Sequence, residues 1–384
     1  MNDNMHGKGK LYYKNLTIKY EGDFANGKRE GKGKYITKDG EYYIGEWLND
    51  LKHGKGILYY KNGNIKYDGD FVKDKKQGKG KSIFENDNYY LGEFLNNKMH
   101  GKGKLYNKNG NIIYDGDFVK DRKEGNGTYT YENGNYYYGE WLNDLKHGKG
   151  VLYKKDDKKK ENEINILKED EVEYHIGELY EGDFVKGKAE GKGKYIYKNG
   201  EYYIGDWLND KKNGKGILYY RNGNIKYEGD FVNDKIEGNG KYNYESGYYY
   251  IGEWMNDKKH GKGIIYYRNG NIKYEGDFVN DKMEGKGKYN WEDGEYYIGE
   301  LLNDKKHGKG KLYYRNGNIK YEGDFVNDKY EGKGKYTYEN GNYYIGELFN
   351  NKKHGRGILY YRNGNIKYEG NFINDQYNNE CIIY

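Results

Sequence analysis

The chain has 384 residues, with 67 Lys and Arg against 61 Asp and Glu, which gives a formal net charge of +6 at pH 7. This small imbalance gives no case for nucleic acid as a partner, and the single cysteine, Cys381, excludes an internal disulfide. Hydrophobic residues make up only 34% of the chain and Tyr supplies 52 of them, whereas an aromatic content of 18% is too high for a disordered chain. The composition therefore predicts a thin, tyrosine-rich structure.

The sequence carries neither a membrane span nor a recognisable export signal. No segment approaches the roughly 18 consecutive apolar residues of a transmembrane helix. The first ten residues, MNDNMHGKGK, lack the apolar core of a signal peptide. We therefore expect a cytoplasmic protein that is not secreted.

A short segment that begins Y-x-G recurs along the whole chain. Successive copies begin 23 and 24 residues apart in alternation, except for one step of 43 residues, so the true period is a pair of 47 residues. The fifteen opening tyrosines are Tyr20, Tyr43, Tyr67, Tyr90, Tyr114, Tyr137, Tyr180, Tyr203, Tyr227, Tyr250, Tyr274, Tyr297, Tyr321, Tyr344 and Tyr368.

The long step divides the chain into three predicted parts. Residues 1–153 form an N-terminal repeat array, residues 154–173 a charged low-complexity insert without glycine, and residues 174–384 a C-terminal array that ends in a degenerate capping repeat. The insert is typical of a disordered loop or hinge. The alternative is a specific binding loop.

Each repeat predicts two β-strands. Residues 42–48 and 54–60 are rich in Tyr, Ile, Leu and Trp, and the turn-rich stretch LNDLKH separates them. Asn-Gly in KNGN, residues 61–64, predicts a type I′ hairpin turn. We expect an all-β chain, an elongated single-layer antiparallel meander of about 15 tandem hairpins with the alternating 23/24-residue period.

The glycines inside these strands predict the register. Side chains alternate between the two faces of a strand, so placing Trp47 opposite Gly54 puts Gly45 opposite Gly56, with large rings lying over bare backbone. The same register places Glu46 opposite Lys55 on the other face, which reads as a solvated surface. The equivalent predicted pairs are Asp70–Lys79, Glu93–Lys102, Asp206–Lys215 and Glu253–Lys262.

The large residue that closes each Y-x-G segment predicts a continuous aromatic stripe along the sheet. We take this stripe as the candidate interaction face. Its residues are Trp47, Phe71, Phe94, Phe118, Trp141, Phe184, Trp207, Phe231, Trp254, Phe278 and Phe325.

The segment YIGEWLNDLKHGKG, residues 43–56, resembles the MORN repeat, whose pattern is Y-x-G-x-W/F-x-N-G-K-x-H-G-x-G. The resemblance covers nearly the whole chain. It implies a curved ribbon of β-hairpins that serves as a free-standing scaffold or as an accessory module of an enzyme, and this chain leaves no room for an enzyme domain. The turn Gly of the pattern is Asp in most copies, as at Asp50, but is kept at Gly27 and Gly187, and the pattern's His alternates with Glu or Gln.

The other sequence motifs predict no catalytic, cofactor-binding or metal site. GKGKS, residues 78–82, lacks the upstream glycine spacing and the helix of a phosphate-binding loop. Histidines such as His53 and His100 recur every 47 residues, so four strands separate them by roughly 19 Å, too far to share a zinc ion. We expect each of them at a turn. Cys381 has no unique His or acid to accompany it.

The sequence therefore predicts a non-enzymatic scaffold that organises cytoskeletal or membrane-associated structures, such as those of the cell cortex or of division, as the MORN resemblance implies. Acidic phospholipids are possible partners, and no nucleic acid is expected. The alternatives are a phosphoinositide-binding or acidic-membrane-binding module and a structural subunit of an axonemal complex. An apolar terminal edge predicts a homodimer or higher oligomer; its residues are Cys381, Ile382, Ile383 and Tyr384.

Overall fold

A computed structural model describes residues 5–155 and 177–377. These residues form β-strands joined by turns, and no helix occurs within the two described ranges. The chain divides into two compact units, Met1–Gly200 and Glu201–Tyr384. The prediction of an all-β, antiparallel, single-layer meander is confirmed.

In the first unit the strands are β1 Gly7–Tyr12, β2 Ile18–Ala25, β3 Lys28–Ile36, β4 Tyr42–Leu48, β5 Leu51–Tyr59, β6 Ile65–Val72, β7 Lys75–Ile83, β8 Tyr89–Leu95, β9 Lys98–Tyr106, β10 Ile112–Val119, β11 Arg122–Thr130, β12 Tyr136–Leu142, β13 Leu145–Lys155, β14 Gly177–Val185 and β15 Lys188–Ile196. Each pairs with the next in antiparallel fashion.

In the second unit the strands are β16 Tyr202–Leu208, β17 Lys211–Tyr219, β18 Ile225–Val232, β19 Lys235–Asn243, β20 Tyr249–Met255, β21 Lys258–Tyr266, β22 Ile272–Val279, β23 Lys282–Asn290, β24 Tyr296–Leu302, β25 Lys305–Tyr313, β26 Ile319–Val326, β27 Lys329–Thr337, β28 Tyr343–Phe349, β29 Lys352–Tyr360, β30 Ile366–Ile373 and β31 Gln376–Tyr377. The same antiparallel pairing of successive strands holds here.

The predicted insert at residues 154–173 begins inside β13, which runs to Lys155. From residue 156 onward it lies outside the described residues. The strands on either side of it pair directly, from Gly148 opposite Phe184 to Lys155 opposite Gly177. The insert therefore joins two neighbouring strands of the same ladder.

The predicted location of the type I′ turns is wrong. The two-residue turn joins β4 to β5, where both Asn49 and Asp50 have positive φ, 49° and 67°. Asn and Asp tolerate this left-handed conformation better than other side chains do. At KNGN only Gly63 is left-handed, and the Tyr60 carbonyl accepts the Gly63 N–H at 3.0 Å. This loop is a type I turn closed by a left-handed glycine.

The predicted register is right on one side of a β-bulge and wrong on the other. Gly45 lies opposite Gly56, as expected, but the register then shifts, so that Trp47 lies opposite Lys52. Gly54, at φ +61°, takes the left-handed conformation that the bulge requires. Gly54 lies opposite Phe71 of the following strand instead.

Because of this bulge, the predicted charge pairs are wrong by one strand. Lys55 lies opposite Asp70, not Glu46, and its Nζ is 2.5 Å from the Asp70 carboxylate. The acidic residue on the preceding strand, at the position of Glu46, instead accepts a backbone N–H of the bulge. In another repeat Glu140 accepts the Lys149 N–H in this way, at 3.1 Å. The predicted partners of the other pairs change in the same way, giving Lys79–Glu93, Lys102–Asp117, Lys215–Asp230 and Lys262–Asp277.

The core consists of the repeat tyrosines and the aromatic stripe. Tyr250 is fully buried, and its hydroxyl donates to the Glu253 carbonyl at 2.9 Å. Its ring makes edge-to-face contacts with Trp254 and with Phe278 of the next strand but one, both at 5.2 Å between centroids. We call the side of the sheet that carries these rings the glycine face, because each tyrosine ring lies over glycine backbone.

Candidate interaction surface

The predicted interaction residues are placed together, but as core rather than as an exposed surface. All eleven rings of the stripe, from Trp47 to Phe325, are no more than 8% exposed. Their role in binding a partner stays a prediction. In this structure, however, any partner of the glycine face first meets the side chains that cover these rings.

The covering side chain is the second residue after each two-residue turn of positive φ, such as Lys73-Asp74. Lys76 lies opposite Phe71, and its Nζ is 4.5 Å from the centroid of the Tyr67 ring and 5.5 Å from that of Phe94. The same Nζ donates to the Ser82 hydroxyl at 3.3 Å. Burial lowers the pKa of Lys76 to about 8. Other repeats place Met99, Met283, Ile236 or Tyr330 here, so this position closes the core by packing as well as by cation–π contact.

The turn aspartates link successive repeats along one edge of the sheet. The Asp281 carboxylate accepts the Lys259 N–H at 2.9 Å, while the Asp281 N–H donates to the Lys259 carbonyl at 3.0 Å. Gly187 keeps only the backbone half of this arrangement, donating to the Lys146 carbonyl at 2.8 Å. The side chain therefore explains why most copies depart from the glycine of the MORN pattern.

Replacing Asp281 by glycine keeps the left-handed turn but removes the acceptor for the Lys259 N–H. We expect the free energy of unfolding to fall by about 1 kcal/mol, the usual net contribution of such a hydrogen bond. Asp281→Asn is the matched control, because Asn351 accepts the Tyr330 N–H at 2.7 Å in the same position. Urea unfolding followed by circular dichroism measures both variants, and equal losses in the two would contradict the role of the acceptor.

The opposite side of the sheet carries stacked tyrosine pairs, and we call it the pair face. The rings of Tyr249 and Tyr266 lie 4.4 Å apart and 9° from parallel. Within residues 5–155 and 177–377, one such pair recurs in each double repeat. The seven pairs are Tyr42–Tyr59, Tyr89–Tyr106, Tyr136–Tyr153, Tyr202–Tyr219, Tyr249–Tyr266, Tyr296–Tyr313 and Tyr343–Tyr360.

Beside each tyrosine pair lies a second row of the pair face, which we call the isoleucine row. On strands β19 to β22 this row reads Lys241, Ile251, Ile264 and Glu275. Ile251 is 42% exposed, and the Lys241 Nζ lies 4.7 Å from the centroid of the Tyr249 ring. These four strands thus expose an apolar patch between a cation and an anion.

The sequence did not predict this surface, because the whole face was expected to be solvated and to carry pairs of opposite charges. The signal was present in the alternate repeats, which read Y-Y-I-G. In EYYIGEW the residues Tyr42, Ile44 and Glu46 share a face, opposite to that of Tyr43 and Gly45. A large apolar residue beside a glutamate on a solvated face is the feature that marks the patch.

A family model described as MORN repeat matches the chain at residues 1–17, 20–42, 43–65, 67–89, 90–112, 114–136, 137–158, 180–202, 203–225, 227–247, 250–272, 274–296, 297–319, 321–343 and 344–366. The chain belongs to the MORN repeat family. The fifteen matches include the N-terminal segment and stop before Tyr368. MORN repeats are non-catalytic modules known for interacting with proteins and membranes, which supports a non-enzymatic interaction role for this chain.

The histidines of the MORN pattern lie in strands rather than at turns. His53 belongs to β5 and lies opposite Glu46 at the bulge. Where a repeat has Glu instead, the carboxylate accepts a turn N–H, as Glu237 does from Asn256 at 2.9 Å. The described residues contain no group of three His, Cys, Asp or Glu side chains that could hold a metal ion. Within the same ranges no helix has the length and apolar character needed to cross a bilayer.

Proposed function

We propose that this MORN protein is a non-enzymatic scaffold of the cytoplasm that organises cytoskeletal or membrane-associated structures, such as those of the cortex or the division apparatus. The observation that carries the proposal is the periodicity of the pair face, which in the second unit presents the same patch of two tyrosines and an exposed isoleucine once per 47 residues. Several weak, equivalent contacts along one chain hold a polymeric partner by avidity.

Binding to acidic phospholipids is a less well supported alternative. Adhesion to an anionic surface needs one sign of charge over a broad area. On the pair face the lysines lie against carboxylates, as in Lys102–Asp117 at 2.6 Å and Lys215–Asp230 at 2.6 Å. These contacts leave little uncompensated positive charge for a lipid headgroup.

The experiment is proximity labelling in the source cell, combined with co-sedimentation of the purified chain with cytoskeletal fractions. The wild-type chain is expected to label cytoskeletal or cortical proteins. The variant Ile251→Glu/Ile298→Glu, altered at exposed positions of the pair face, is expected to lose most of them.

The matched control is Asn269→Asp/Asn316→Asp, which adds the same charge at the Asn-Gly loops. Asp293 fills the equivalent position in another repeat, and its carboxylate accepts the Glu295 N–H at 3.0 Å. This control should label like the wild type. If the wild-type protein is diffuse in the cell and labels no cytoskeletal or cortical protein, the proposal is wrong.

A further inference from the structure

We infer that the pair face binds a second copy of this chain, face to face, about a two-fold axis that runs parallel to the strands. The contact is distinct from the apolar edge predicted at the C-terminus, whose residues 381–384 lie outside the described residues. It lies on the same face as the contacts proposed above for a cellular partner, so self-association and partner binding compete for the patches that they share. The second unit alone carries the argument.

The isoleucine row is complementary to its own reverse. A two-fold axis parallel to the strands reverses the order of the strands but keeps each position along them. With the axis between β20 and β21, Ile251 lies over Ile264 of the partner copy, and Lys241 lies over Glu275. The row K-I-I-E therefore meets E-I-I-K, so aliphatic side chains lie together and each cation meets an anion.

The neighbouring row of charges obeys the same rule. On strands β17 and β18 it reads Lys215 and Asp230, and on β23 and β24 it reads Lys286 and Glu300. Under the axis between β20 and β21, Lys286 lies over Asp230 of the partner copy and Glu300 lies over Lys215. Face-to-face stacking thus creates no like-charge contact, although like charges across an interface are costly. Lys311 of the isoleucine row departs from the pattern, and its Nζ is already 2.8 Å from the Glu322 carboxylate.

The tyrosine pairs fit the same symmetry. Under the axis between β20 and β21, Tyr249 of one copy lies over Tyr266 of the other, so the two stacked pairs meet. Tyrosine is favoured at protein interfaces, because its ring buries a large apolar area while its hydroxyl stays hydrated or hydrogen-bonded.

The spacing favours a second copy over a foreign protein. Each unit covers roughly 19 Å along the array and about 17 Å along the strands, or on the order of 300 Å². A standard interface buries about 800 Å² per partner, so roughly three units must engage at once. The second unit of the chain presents four tyrosine pairs. A partner engages several of these tyrosine pairs together only if its own contacts recur with the same period. A second copy has the same period because it has the same sequence.

The test is a charge swap in the full chain. The axis between β20 and β21 also places Lys288 of β23 over Glu228 of β18. One variant therefore carries Lys241→Glu and Lys288→Glu, and the other carries Glu228→Lys and Glu275→Lys. Each variant alone places like charges over one another, so we expect its self-association to weaken at least about tenfold. An equimolar mixture restores every opposed pair and is expected to form heterodimers. Sedimentation velocity measures the mass, and native mass spectrometry identifies the mixed species.

The controls separate this interface from the alternatives. Asn269→Asp/Asn316→Asp adds charge at the loops and should associate like the wild type. Deletion of residues 371–384 should leave the mass unchanged if the pair face is the contact. Loss of the dimer on that deletion, a monomeric wild type at about 100 µM, or charge variants that associate normally alone would each overturn the inference.

The charge variants also remove exposed cross-strand pairs of their own chain, such as Glu228 opposite Lys241. Circular dichroism therefore establishes that each variant is folded before its mass is measured. If either swap fails to fold, Ile251→Glu/Ile298→Glu takes its place, since both side chains are exposed at 42–43% in the single chain. This variant is expected to be monomeric, and a dimer of wild-type affinity would refute the contact.

Discussion

Replacement of Gly263 by alanine is expected to lower the free energy of unfolding by about 3 kcal/mol, the upper end of the usual cost of overpacking. A Cβ at this position would lie 2.3 Å from both the hydroxyl oxygen and Cε2 of Tyr250. That ring cannot move aside, because its hydroxyl bonds the Glu253 carbonyl and its edges meet Trp254 and Phe278. The strand or the ring must shift, and either change disturbs the core.

The control is Gly270→Ala in the adjoining Asn-Gly loop. Nothing lies within 4 Å of a Cβ there, although φ is +84°. The control therefore carries only the cost of a left-handed alanine, about 1–2 kcal/mol. Urea unfolding followed by circular dichroism gives the stabilities, and the fluorescence of Trp254 reports the local packing. Equal destabilisation by the two substitutions would show that the tyrosine does not depend on the bare backbone.

The sequence predicts the parts of the fold that depend on alternation. Gly45 opposite Gly56 and Tyr43 opposite Leu58 follow from a period of two and from the need to place a ring over bare backbone. The position of the bulge does not follow from this alternation, because it depends on whether Gly54 adopts a left-handed φ of +61° or an extended conformation. A glycine permits both, so the residue type alone does not decide the register beyond it.

The candidate surface was less predictable than the fold. The aromatic stripe was the most conspicuous pattern, but a single-layer sheet has few aliphatic residues and uses its largest rings as core, so Trp47 is 4% exposed. The surface left for partners is made by residues that look ordinary in the sequence, such as Ile251. Their importance depends on the pairing of β20 with β21, which brings Ile251 beside Ile264 and Tyr249 beside Tyr266.

The same buried tyrosines predict a sharp loss of structure at alkaline pH. Burial raises the pKa of the Tyr250 hydroxyl well above its usual value near 10, and it raises the pKa of Tyr20 and Tyr344 to about 12. Burial is the largest cause of the shift at each of these residues. Among the described residues, the repeat tyrosines whose pKa is raised include Tyr20, Tyr43, Tyr67, Tyr90, Tyr114, Tyr137, Tyr227, Tyr250, Tyr274, Tyr297, Tyr321 and Tyr344.

In the unfolded chain these hydroxyls lose their protons near pH 10, whereas in the folded chain they keep them. Between the two pKa values the unfolded state binds fewer protons, so the free energy of unfolding falls as pH rises. The stabilisation is complete below about pH 10 and is lost progressively as pH approaches the raised folded pKa. Each tyrosine contributes at most about 1.4 kcal/mol per pH unit above 10. A few acting together therefore approach the 5–15 kcal/mol that is typical of a whole domain.

We therefore expect the sheet to unfold cooperatively near pH 11, with the core tyrosines ionising in the same step. Circular dichroism follows the strands, and absorbance near 295 nm follows tyrosinate in the same titration. If all tyrosinate appears near pH 10 while the strand signal is unchanged, the hydroxyls ionise within the folded sheet. The core would then not depend on their protonation, and the burial that raises their pKa would have no role in holding the repeats together.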